Sequence, residues 1–125
     1  MRAFILIFFF ILSLFAASSY ASIMKATELQ EFCLDLEKSQ LGRDYNKENA
    51  SRCRGYLEGF FDSQIILEKL QKQKMFCIPD AVPRETNTKI LNSWIEVNSV
   101  LAKDTTATVA LLSAYKAAFP CKSEN

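Results

Sequence analysis

The 125-residue sequence contains no histidine. That absence removes the commonest general base, the Ser/His and Cys/His nucleophile pairs, and the usual imidazole ligand of zinc. No two cysteines are spaced C-x-x-C, which argues against a redox motif and against a structural zinc site. Strand-like alternation, low-complexity tracts and internal repeats are missing as well, so no pattern competes with a helical reading. Excess charge of either sign is also lacking, at 15 basic against 14 acidic residues. No bulk field therefore draws the chain to nucleic acid or to an anionic membrane.

A long hydrophobic run occurs only at the start, from Phe4 to Ala17, behind Arg2. It falls short of the roughly 20 apolar residues that a membrane-spanning helix needs. The small residues "SSYAS" follow, with Ser19 and Ala21 at the minus-three and minus-one positions of a cleavage site. Residues 1–21 thus read as a signal peptide and 22–125 as one small mature domain, exported and free of the membrane after cleavage. Arg2 is the only charged residue of the leader, so the mature part is neutral.

The four cysteines, Cys33, Cys53, Cys77 and Cys121, all lie in the mature part. An even count in a small exported domain is most simply a disulfide framework.

Helical periodicity organises the rest. Leu29, Phe32, Cys33 and Leu36 fall at i, i+3, i+4 and i+7, with Thr27 and Gln30 as a candidate capping box and Gly42 at the closing position. A second helix, capped by Asn46 or Asn49, runs to about Lys74 and carries two stripes: Cys53, Tyr56, Leu57, Phe60 and Leu67 on one, Gly55, Gly59, Ile66 and Leu70 on the other. Two apolar faces imply packing between neighbours. Gly55 and Gly59 would admit a close helix approach that offsets their cost of roughly 1 kcal/mol each, either within the chain or between two copies.

Pro79 and Pro83 then enforce a loop. A third helix from about Thr86 would turn Ile90, Leu91, Trp94, Val97 and Leu101 inward, and "NSVLAKD" breaks it. A fourth, capped by Asp104 or Thr105, would bury Val109, Leu112, Tyr115 and Phe119 before Pro120 ends it. The expected fold is an all-α four-helix bundle.

Helix geometry selects the disulfide pairing. An antiparallel hairpin sets Cys33 level with Cys53, whereas Cys53 and Cys77 stand about 36 Å apart along one helix. The last two helices run out and back, which brings Cys121 beside Cys77. The carboxylate pairs Glu31/Asp35 and Glu58/Asp62 have the i, i+4 spacing common on solvated faces. "NAS", Asn49 to Ser51, matches a glycosylation acceptor. Nothing in the pattern supplies an active site, and the chain reads as a binding protein with no catalytic residue, metal or cofactor.

The succession Cys33, "CRGYLEGFFDS" from Cys53, "FCIP" from Phe76 and "AYKAAFPC" ending at Cys121 resembles the Rap/Tai immunity proteins over essentially the whole mature chain. The resemblance implies a small helical periplasmic protein, often dimeric, that binds and occludes a type VI secretion effector, an amidase cutting peptidoglycan cross-links. The stretch "VNSVLAKD" departs from it, since members often have a proline there. The proline-stiffened loop is a suitable probe for such a cleft, with Asp80, Arg84, Glu85 and the nearby Lys89 as candidate contacts. A helical envelope protein of structural or stress function, sheltering many chains instead of one partner, is the competing reading.

Overall fold

A computed structural model describes residues 23–122, and the signal-peptide reading lies outside them. Four long helices and one short turn of helix make up the domain: α1 (Ala26–Gln40), α2 (Lys47–Gln71), α3 (Thr86–Val97), α4 (Ser99–Ala102) and α5 (Ala107–Ala118). The helical fold class is as expected, with α4 as an addition inside the segment read as a break. Asn98 explains that break: both its backbone N–H and its side-chain amide donate to the Trp94 carbonyl, at 3.0 and 2.8 Å, so α3 closes there and α4 restarts at once.

α1 is the hub, packing extensively against α2, α3 and α5. Ala26, Leu29, Cys33 and Leu36 form its buried stripe, matching the i, i+3, i+4, i+7 register. Its start is not a capping box. Lys25 occupies the N-cap without a side-chain hydrogen bond. The orphan donor there is satisfied from across the molecule instead: the Ala26 N–H donates to the Thr105 carbonyl, the Ala107 N–H to the Met24 carbonyl, both at 2.9 Å, around an isolated antiparallel pairing of Lys25 with Thr106. This stitch joins the beginnings of α1 and α5. Gly42 closes α1 as expected, at φ +67°, with its own N–H donating to Ser39 and the Arg43 N–H to Lys38.

At α2 the cap is Asn46, whose side-chain oxygen accepts from the N–H groups of Glu48 and Asn49 at 2.9 and 3.1 Å. Asn49 is engaged elsewhere, its amide donating to Asp35 at 2.8 Å and tying the two arms of the hairpin together. The α5 cap is Thr106, one residue beyond the expected positions: it pairs with Lys25, while the Thr105 hydroxyl donates to the Leu101 carbonyl at 2.8 Å.

Both disulfides join the expected partners. Cys33–Cys53 crosses the α1–α2 hairpin with a Cα separation of 5.0 Å, and Cys77–Cys121 ties the tail to the loop after α2 at 4.9 Å. Beside the second bridge, Tyr115 is fully buried among Phe60, Phe61, Phe76 and Phe119, with ring centroids 5.1 to 6.2 Å from its own. Its hydroxyl donates to Asn87 Oδ1 at 2.6 Å, which supplies the partner a buried phenol requires and fixes α3 to α5.

Several residues expected inside are outside. Val97 and Leu101 are 85% and 58% exposed, and Val109 is 52% exposed. The inward faces are set by Leu91 and Ile95 on α3 and by Ala107, Ala110, Leu111, Ala114 and Tyr115 on α5. These helices are short and apolar on more than one side, so periodicity alone could not choose the face. A larger correction concerns α2. Its second stripe does not pack between neighbours: Gly55 and Gly59 are exposed, and a Cβ built on either meets no heavy atom within 4 Å. Close helix approach at the glycines within the chain is therefore not what the fold uses.

Candidate functional site

No helix among the described residues is long and apolar enough to cross a membrane, and no three of the described His, Cys, Asp or Glu side chains cluster as metal ligands. The candidate site is a surface. It is organised by the loop between α2 and α3.

Local forces hold that loop at both ends. At its start, Phe76 packs against the rings of both Phe60 and Tyr115, and the Cys77 N–H donates to the Phe119 carbonyl at 2.9 Å. At its end, the Thr86 and Asn87 N–H groups donate to the carbonyls of Pro83 and Arg84, so the chain is already turning into α3 when it passes Arg84 and Glu85. Between these anchors Pro79, Asp80 and Ala81 stand exposed. Two prolines reduce the freedom that a partner would otherwise have to freeze out on binding.

Arg84 and Glu85 line a cleft of about 580 Å³ with Leu36 and Gln40 of α1, Arg54, Leu57, Glu58 and Phe61 of α2, and Asn87. Its floor is apolar and its rim carries two guanidinium groups and two carboxylates. Arg54, Glu58, Arg84 and Glu85 enter no ion pair among the described residues, where the pairs found are Asp35–Lys38, Glu48–Arg52 and Glu68–Lys74. Unpaired charges at the edge of an apolar depression can be matched by a partner of complementary pattern, which favours specificity and encounter rate more than raw affinity.

The four loop candidates do not form one cluster. Arg84 and Glu85 share the cleft, Asp80 projects from the loop without lining it, and Lys89 lies on a different surface. Lys89 borders an open groove of about 550 Å³ between α3 and α5, formed by Ile90, Trp94 and Val97 against Ala114, Ala117 and Ala118. Gly55 and Gly59 line a third depression of about 390 Å³ with Tyr56, Phe60, Ser63 and Thr108, where the Tyr56 and Thr108 hydroxyls share a hydrogen bond of 2.9 Å. Sequence reasoning missed the part of Arg54 in the cleft and treated Glu58 only as a carboxylate pair with Asp62. Their i, i+4 spacing with Leu57 between them was the available signal.

Two ionisable groups are shifted by their surroundings. The amide of Asn49, the backbone N–H of Asn46 and the ammonium of Lys38 hold the Asp35 carboxyl below its ordinary range. Burial pushes the Tyr115 phenol well above its own, so it stays a hydrogen-bond donor. Neither borders the cleft. Gln64 is half-buried, with its amide 3.4 Å from the Ser63 hydroxyl.

The loop held between two anchors, the cleft behind it and the two bridges all fall within the segment that matches a known family, whose description is Rap1a immunity proteins and which covers residues 25–121. No curated protein and no solved structure matches the chain. The match spans most of the sequence, and the chain belongs to the family of Rap1a immunity proteins.

Proposed function

We propose that this immunity protein acts in the periplasm by occluding the active cleft of a peptidoglycan amidase delivered by a type VI secretion system, and that it does no chemistry of its own. Membership of the family carries the immunity role and the existence of a cognate effector. The observation that carries the mode of binding is the placement of Arg84 and Glu85, on the rim of an apolar-floored cleft and at the end of a loop anchored on both sides. Such a loop enters a catalytic groove at low entropic cost while the charged rim sets the register. Asp80 would lead the insertion, and Lys89, on the neighbouring groove, would contribute only if the effector wraps around α3.

The test is inhibition of a purified candidate amidase. Charge reversal by Arg84→Glu should weaken inhibition by at least about tenfold, as expected for a close interfacial charge pair. Unchanged inhibition would show that the loop and cleft are not the contact. Capture of many unfolded chains instead of one stoichiometric enzyme would favour the envelope stress-protein reading.

A homodimer is a second proposal, favoured by the open side of α2. Gly55 and Gly59 there leave room above the backbone, and Ile66 and Leu70 continue the stripe at 58% and 75% exposure. A second copy could cover this face. Light scattering of Gly59→Leu should report a monomer if the face is buried between copies, and a dimer that survives the added side chain would exclude this face as the contact.

A further inference from the structure

The two disulfides differ in a way that has a chemical consequence. Cys33 and Cys53 are both fully buried, whereas Cys77 and Cys121 are both exposed. Thiol–disulfide exchange requires a thiolate to reach a sulfur along the axis of the bond, so exchange depends on access. The Lys74 backbone carbonyl lies 4.0 Å from Cys121 Sγ, and Lys122 follows Cys121 directly. Beside Cys77 is a small cavity of about 270 Å³ walled by Phe61, Ile65, Met75, Phe76 and Ile78.

We propose that Cys77–Cys121 is a thiol–disulfide exchange site for a dithiol reductant, and that its opening releases the Cys77–Glu85 loop while Cys33–Cys53 keeps the helices folded. In the exchange one thiolate of the dithiol attacks Cys121 Sγ, the bond to Cys77 breaks, and the Cys77 thiolate takes a proton from water. The second thiol of the reductant then displaces Cys121. The dithiol leaves as a disulfide, having supplied two electrons, and both cysteines become thiols.

Opening has a local effect because of what remains. The helical core is centred on α1 and retains its own bridge to α2. At the start of the loop there remain the Phe76 ring contacts and the hydrogen bond from Cys77 to the Phe119 carbonyl, and beyond Phe119 the tail is held by the bridge. The freed segment contains Arg84, so its mobility can be read by tryptic cleavage after that residue. This inference does not depend on what the loop binds.

The oxidised protein, exposed to increasing dithiothreitol and then blocked with N-ethylmaleimide, is mapped by peptide mass spectrometry. Adducts are expected on Cys77 and Cys121 at reductant concentrations at least about tenfold below those that label Cys33 and Cys53. The far-ultraviolet helical signal should be retained at that point, and cleavage after Arg84 should rise by at least about fivefold. Simultaneous labelling of all four cysteines, loss of helix with the first adducts, or an unchanged cleavage rate would each overturn the proposal. The double variant Cys77→Ser/Cys121→Ser should be cleaved like the reduced protein and be indifferent to dithiothreitol. A rate equal to that of the oxidised wild type would contradict the latch. All these readouts are made without an effector, so failure of the amidase reading leaves them intact.

Discussion

The two halves of α2 live in different environments although they belong to one continuous helix. The first half lies against α1, with Ala50, Cys53, Leu57 and Phe60 buried and a disulfide across the seam. The second half carries Ile65, Ile66, Leu67 and Leu70 at 52%, 58%, 37% and 75% exposure. Hydrophobicity does not separate them, since the distal half is at least as apolar. The difference is the presence of neighbours: α1 has 15 residues against 25 in α2, so the antiparallel hairpin covers the proximal half of α2 only. Apolar residues continue past the reach of the core, and such a surface is where an interaction partner is to be sought.

The same contrast separates the bridges, and removing them should give the largest effects. Cys33→Ala/Cys53→Ala loses both the cross-link and its place in the core, and should cost about 3–5 kcal/mol in a denaturant titration. Cys77→Ser/Cys121→Ser leaves no cavity and should cost about 2–3 kcal/mol. Loop-closure entropy alone would rank them the other way, because the second bridge spans 44 residues of sequence against 20 for the first. The order of the two values therefore decides whether burial or chain closure dominates.

Leucine truncation probes the contrast without touching sulfur. Leu29→Ala, at a fully buried position, should lose about 2–5 kcal/mol, while Leu70→Ala should stay within about 0.5 kcal/mol. A large loss at Leu70 in a monomeric sample would mean that the distal half packs on something within the chain. Gly59→Ala tests the open face from the other side: with no heavy atom within 4 Å of the added Cβ, it should stabilise the monomer by about 0.5–1 kcal/mol. Destabilisation would show that this strip is covered.

The smallest expected effect is that of pH at the hairpin. Asp35 has its folded-state pKa depressed, chiefly by the hydrogen bond from Asn49 and then by that from the Asn46 backbone. Its contribution is fully present above the ordinary carboxylate pKa of about 4 and is lost as the pH falls through the lower folded value. The urea midpoint should therefore decline more steeply below pH about 4 in the wild type than in Asp35→Asn. Parallel curves would place the acid sensitivity elsewhere.

Legibility from sequence followed the same division. The α1 stripe, Gly42, a cap at one of Asn46 and Asn49, and both bridges could be read in advance, because each depends on residues a turn apart or on the reach of one hairpin. The capping of α1 and α5 could not, since the groups that satisfy Ala26 and Ala107 come from opposite ends of the chain. Val97, Leu101 and Val109 were misplaced for a related reason: in short helices with apolar residues on several sides, the buried face is chosen by the neighbour. The loop residues were found as a group by proline content, but their separation into a cleft pair, a projecting Asp80 and a remote Lys89 depends on how α3 crosses the bundle.

By itself the sequence determined that the chain is helical, where most helices start and stop, that its cysteines pair two by two, and which family it belongs to, because these follow from local periodicity, steric limits and shared motifs. Only the tertiary structure decided which sulfurs are sealed and which are open, which face of α2 is bare, and which charges meet at the cleft. Burial is a property of where the chain returns, and that is settled by the packing of α1 against three partners at once.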